Sequence, residues 1–202
     1  MPDPLSFILE LDPALRPPMQ PLDEHIVPDF DWFGTHRASR RAGEGMLAIQ
    51  GVVIHATAGS TAAGALSWWR QPAVKASAHW LVPAEREPLH GKEVFAVVPE
   101  ARAAWHVLPK CAHPAVNDGK ARINGWSLGV EIVNTQRHDD VFSDWQVAAT
   151  ASIVRHAWAK YPNLRWVFSH AAVDPARRTD PGSAFPWSDF VRAIVTPETG
   201  LA

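Results

Sequence analysis

Cysteine is almost missing from this chain: Cys111 is the only one in 202 residues. A lone cysteine excludes an intrachain disulfide framework and any cysteine-rich zinc site, so a bound metal would need His, Asp or Glu. Long hydrophobic runs are missing too. The opening stretch MPDPLSFILELDPALRPP has no basic start, and its apolar run LSFIL is too short for a signal-peptide core. No segment approaches the length of a membrane helix. The expectation is therefore a chain without a signal peptide, cytoplasmic as synthesised and not inserted in a membrane. A dominant charge is lacking as well: 19 Lys and Arg against 21 Asp and Glu leave a formal net charge of −2. The electrostatic footprint of a nucleic-acid partner is thereby excluded.

What is present is an ordinary globular composition, 47% apolar and 20% charged, with two excesses: 18 prolines and ten tryptophans. The tryptophans serve either a Trp-rich core and surface or an aromatic groove that stacks on sugar or peptide. Prolines 2, 4, 13, 17, 18, 21 and 28 prevent a long helix near the start. Residues 1–45 accordingly read as an irregular arm, and residues 46–202 as one domain.

From residue 47 the pattern alternates between short apolar runs and helical segments. LAIQGVVIH, SAHWLV, EVFAVV, WSLGVEIVN and LRWVFSH read as buried strands, each bounded by turn residues or proline. Ser60 or Thr61 caps a helix through TAAGALSWWR, ended by Pro72. A second helix starts at Ser143 with a capping box completed by Gln146; Val147, Ala151, Val154 and Trp158 share its apolar face, and Pro162 stops it. PWSDFVRAIV closes the chain as a short helix. The polar segment from Pro99 to Asn124 is long for a compact domain, which suits a loop over a site. Near-continuous apolar strands interleaved with helices predict an α/β fold, a sheet covered on both faces.

Three strand ends deliver a polar residue directly after an apolar run: His55 in VVIH, Glu131 in GVEIVN and His170 in VFSH. Asp180 follows in RRTDPG, where Pro181 and Gly182 set a rigid turn. Two His and one carboxylate match the three-ligand set of hydrolytic zinc sites, which leave one position for water. Any single His in a chain with ten is more often a satisfied structural or surface side chain, and no HExxH motif is present. Glu131 inside an apolar strand is either salt-bridged or edge-facing, or a general base with a raised pKa. Arg178 is either solvated or placed to stabilise an oxyanion.

At these residues the chain resembles the type 2 N-acetylmuramoyl-L-alanine amidases, whose superfamily includes peptidoglycan recognition proteins and phage T7-type lysozyme. The matching segments are VVIHATAG, SAHWLV, VVPEARAAWHV, WSLGVEIVN and SHAAVDPARRTDPGSAFPW, in order over about residues 47–190. The resemblance implies a mixed sheet with helices on both faces and one catalytic Zn2+ held by His55, His170 and Asp180. It implies catalytic roles for Glu131 and Arg178, in the Glu-using bacterial branch, since Ala78 stands where lysozyme-like members carry Tyr. His79, Trp105, His106 and Asn124 fall at groove-lining positions. The implied reaction is hydrolysis of the amide between the lactyl group of N-acetylmuramic acid and L-Ala of the stem peptide, on peptidoglycan or muropeptide. The alternative to catalysis is a non-catalytic peptidoglycan-binding module; the alternative to a cytoplasmic location is delivery to the wall as an endolysin or effector. Three departures accompany the resemblance. Arg178 replaces the usual Lys, a carboxylate orienting the second histidine is either absent or supplied by Asp174, and residues 1–45 have no counterpart.

Overall fold

The computed structural model describes residues 5–27, 38–40, 45–88 and 92–196. A seven-stranded mixed sheet forms its centre. Four strands run parallel: β4 (Gly51–Ala56), β5 (Trp80–Val82), β8 (Ser127–Ile132) and β9 (Trp166–Ser169). They are flanked by β1 (Ile8–Glu10) antiparallel to β9, β6 (Val94–Ala96) antiparallel to β5, and β2 (Glu24–Ile26) parallel to β6. The spatial order is β1-β9-β4-β8-β5-β6-β2, and β3 (Ala38–Arg40) pairs separately with β7 (Arg102–Ala104).

Alternation along the strands divides two interiors, because successive side chains of a strand point to opposite faces. Val52, Ile54, Leu128, Val130, Ile132 and Val167 pack with α2 (Asp144–Lys160) and α4 (Trp187–Val195). Each of these strand side chains is completely buried, worth about 1.5–3 kcal/mol apiece against exposure. The helix α2 starts where its sequence directs: Ser143 accepts from the Gln146 N–H and the Gln146 side chain returns the bond to the Ser143 N–H. On the other face lie α1 (Ala62–Trp69), seated on Leu81 and Phe95, and the 105–126 segment around Val53 and Phe168. Thr61 is the N-cap of α1, accepting from Gly64 N–H. The carboxylate of Glu87 takes the N–H groups of Ala62 and Ala63, which anchors the helix start to a distant loop.

Where an irregular arm is expected, the described residues before 45 add β1 and β2 to the two sheet edges and β3 to the small ribbon. Backbone pairing decides this, with bonds such as Leu11 N–H to Arg165 carbonyl (2.7 Å) and Ser169 N–H to Phe7 carbonyl (3.0 Å). Phe7 stacks on Trp187 with ring centroids 3.8 Å apart. The Arg16 guanidinium donates to the carbonyls of Tyr161 (2.7 Å) and Pro162 (2.8 Å) at the C-terminal end of α2, where a cation meets the negative end of the helix dipole. The 99–124 segment is loop apart from β7 and two single turns, Asn117–Gly119 and Ile123–Gly125.

Candidate metal centre and groove

Strand register builds the site. β4 lies between β8 and β9, with His55 directly beside Glu131 and Ile54 beside Ser169. His170 follows Ser169 as the first residue of α3 (His170–Val173), whose N-cap is the Ser169 hydroxyl. Three parallel strands therefore present His170, His55 and Glu131 in one row at their carboxyl ends, where open α/β sheets place their ligands. Asp180 returns to this row from the next loop, held by the Ala171 N–H on its carbonyl at 3.1 Å.

The three predicted ligands converge. His55 Nδ1 and His170 Nδ1 lie 2.9 Å apart, and Asp180 Oδ2 sits 3.0 Å from His170 Nδ1 and 3.3 Å from His55 Nδ1. One ligating atom from each residue falls within 4.8 Å of the others, and all three side chains are buried. Burial, then the neighbouring His170, lowers the His55 pKa to about 4, against a weaker opposing pull from Asp180. Its ring is thus neutral at neutral pH, the form that ligates metal. Burial alone would raise Asp180, but the imidazoles of His170 and His55 beside it outweigh that and hold the carboxyl well below its usual range. A neutral imidazole and an ionised carboxylate gathered around one point, with no cysteine, form a group able to hold a metal ion.

Glu131 faces the same space. Its Oε2 is buried and has no hydrogen-bond partner, one of three such side-chain atoms among the described residues. Burial first, and the charge of Asp180 second, push its pKa well above the usual carboxylate value, while Arg178 pulls the other way. This orphaned oxygen is costly to hold unless a proton, a water or a substrate group meets it.

A groove of about 1760 Å³ opens over this row. Glu131, His170, Asp180, Arg178, Trp105, His106 and Asn124 all line it. Asn124 does so while clamping the backbone of Val107 through two 2.9 Å bonds. Trp68 on α1 also borders the groove with half its surface exposed. Its signal in the sequence is the Trp68–Trp69 pair, of which Trp69 turns into the core. Lys75, Lys120, Arg122 and Arg177 add to Arg178 at the lining, where Glu131 and Asp180 are the only carboxylates among the described residues.

Two expectations are corrected. His79 does not line the groove: its Nδ1 accepts from the Gly129 N–H (2.9 Å) and its Nε2 meets the Arg102 carbonyl (3.0 Å), so the backbone uses both ring nitrogens. Asp174 does not orient His170, because its carboxylate is taken by Arg177 (2.7 Å). His106 instead reaches the ligand set, with its Nδ1 3.0 Å from His55 Nε2.

Fold and site together define an α/β protein with a buried His-His-Asp group and an adjacent half-buried glutamate at the floor of a groove. The chain belongs to the N-acetylmuramoyl-L-alanine amidase family, whose pattern matches residues 45–183. The 1,6-anhydro-N-acetylmuramyl-L-alanine amidase AmpD of Citrobacter freundii is 30% identical over 127 residues, covering 62% of this chain and 60% of that protein. The structure of AmpDh3 from Pseudomonas aeruginosa superposes with a TM-score of 0.62 at 25% identity, over 81% of this chain and 65% of that one. The E. coli amidase AmiD, in complex with the substrate anhydro-N-acetylmuramic acid-L-Ala-D-γ-Glu-L-Lys, gives 0.60 at 27% identity, over 78% and 62%. The chain spans about 60% of the length of the curated relatives it matches first.

Proposed function

We propose that this protein is a zinc-dependent N-acetylmuramoyl-L-alanine amidase, cutting the amide between the lactyl group of N-acetylmuramic acid and L-Ala of the stem peptide. The observation that carries the reading is the convergence of His55, His170 and Asp180 on one point with the unpartnered Glu131 carboxylate on the adjacent strand. When bound there, zinc supplies Lewis acidity that makes water nucleophilic and polarises the amide carbonyl, and its charge offsets that of Asp180 on Glu131. Glu131 accepts the proton of the attacking water at its buried carboxylate and returns it to the departing L-Ala nitrogen. Arg178 lies exposed at the groove beside Asp180 and supplies a permanent positive charge to the oxygen that becomes anionic. Unlike a lysine it donates hydrogen bonds without giving up a proton, so proton traffic rests on Glu131 alone.

Trp105, His106 and Asn124 shape the groove floor, and the cationic lining suits a peptide rich in carboxylates. Soluble anhydro-muropeptide is the substrate form favoured by the names of the relatives and by the ligand in the AmiD complex. The catalytic unit is residues 46–202, with the preceding segment docked along its edges. Metal analysis with digestion tests the reading. About one zinc per chain, release of stem peptide from anhydro-muropeptide, and loss of that release on chelation are expected. Bound muropeptide without zinc or released peptide would instead identify a binding module, and faster release from intact sacculi would overturn the substrate form.

A further inference from the structure

Three successive site-facing positions of β8 are Ser127, Gly129 and Glu131. Glu131 belongs to the catalytic reading above; the other two serve His106. The Ser127 hydroxyl lies 2.8 Å from the Ile123 carbonyl and 3.3 Å from His106 Nε2. A hydroxyl has one proton, and the carbonyl can only accept, so that proton goes to Ile123. Ser127 therefore accepts from His106, which must carry its proton on Nε2. The lone pair of His106 Nδ1 then faces His55 Nε2 at 3.0 Å, and this contact requires a proton on His55 Nε2. What remains bare is His55 Nδ1, the atom aimed at His170 and Asp180.

Gly129 makes the arrangement possible. A Cβ at that position would stand 2.6 Å from His106 Cγ, so only glycine lets the imidazole lie against the strand. The ring is buried in this seat, edge-on to His55 with centroids 5.1 Å apart. Sequence, strand register and proton count thus agree on one chain of bonds: Ile123 carbonyl, Ser127, His106, His55.

We propose that His106, anchored by Ser127 and seated on Gly129, is a positioning residue that fixes His55 as its Nε2-protonated tautomer and so reserves Nδ1 for the metal. The ligand histidine is held by a second histidine and a serine where many metal sites use a carboxylate. The inference rests on the metal-site reading, and its test separates the two. Long-range 15N–1H correlation spectra of the metal-free, 15N-His-labelled full chain should show His55 as the neutral Nε2–H tautomer, assigned with His55→Asn. An Nδ1–H tautomer in the wild type overturns the proposal before any metal is added.

Zinc affinity, measured by competition with a chelating indicator, gives the second readout. His106→Leu is expected to weaken zinc binding about 10- to 100-fold. His106→Gln should recover most of that loss, since its amide oxygen can accept from His55 while its NH2 donates to Ser127. Ser127→Ala should fall between wild type and His106→Leu, and Gly129→Ala should weaken zinc because its methyl group displaces the imidazole. If His106→Leu does not fold, Ser127→Ala and the wild-type tautomer decide. A folded His106→Leu protein with unchanged zinc affinity overturns the proposal; a wild type that binds no zinc instead overturns the metal reading.

Discussion

Along β8, Leu128, Val130 and Ile132 meet α2 and α4, whereas Ser127, Gly129 and Glu131 turn toward His106 and the groove. The same alternation runs along β4, where Val52 and Ile54 join the apolar core and His55 joins His170 and Asp180 in the group able to hold a metal ion. One face holds apolar side chains in contact with helices. The other holds a neutral histidine, a carboxylate without a partner and a glycine with a ring pressed against it. Adjacent positions of one strand thus carry separable burdens. Substitutions on the helix face should cost stability and spare chemistry, and those on the groove face should do the reverse.

The sharpest test is Glu131→Gln. Turnover of anhydro-muropeptide is expected to fall about 10²- to 10⁴-fold while zinc content stays the same, as read by product chromatography and metal analysis. The same variant removes a buried carboxyl whose pKa is raised, so the metal-free protein should melt higher at neutral pH. Full activity in this variant would remove Glu131 from the mechanism. Its counterpart one strand face away is Leu128→Ala, expected to cost about 3 kcal/mol in urea unfolding while leaving zinc affinity unchanged. A matching loss of zinc binding would show that the two faces are coupled.

Acidity offers a third way to separate them. His55 takes its proton near pH 4 in the folded protein and near 6.5 when unfolded. As pH falls from 6.5 the unfolded chain binds that proton first, so the metal-free protein loses stability down to about pH 4, on the order of 3 kcal/mol. His55→Asn should flatten this part of the stability profile; an unchanged slope would assign it to other groups. The smallest effect is expected at Ser143→Ala, which removes the cap of α2 and should cost about 1 kcal/mol in thermal unfolding with turnover unaltered.

Much of this was legible in the sequence because its signals are local. The Ser143–Gln146 capping box, the apolar runs of β4 and β8, and a polar residue at the end of each strand are all read within a few residues. The ligand set could be read by type and count, then by its setting in IHATAG and RRTDPG. The unread parts are long-range. β1 and β2 are three-residue strands among prolines, and only their partners β9 and β6, far along the chain, make them strands. His79 and His106 look alike in sequence, each beside a tryptophan. What separates them is which backbone or ring nitrogen stands opposite, and that is settled by packing between β5, β8 and the 105–126 segment.

The docking of β1 has a consequence for how the domain can be handled. β9 delivers His170, and its outer edge is covered by a segment that lies before the family's matched region. A version trimmed to start at residue 45 would keep every ligand yet leave that edge open, a row of unpaired N–H and C=O groups ready to recruit a strand from another molecule. It would also uncover Trp187 and the last carbonyls of α2, now met by Phe7 and Arg16. In practical terms, a fragment that keeps this edge covered should begin before Phe7.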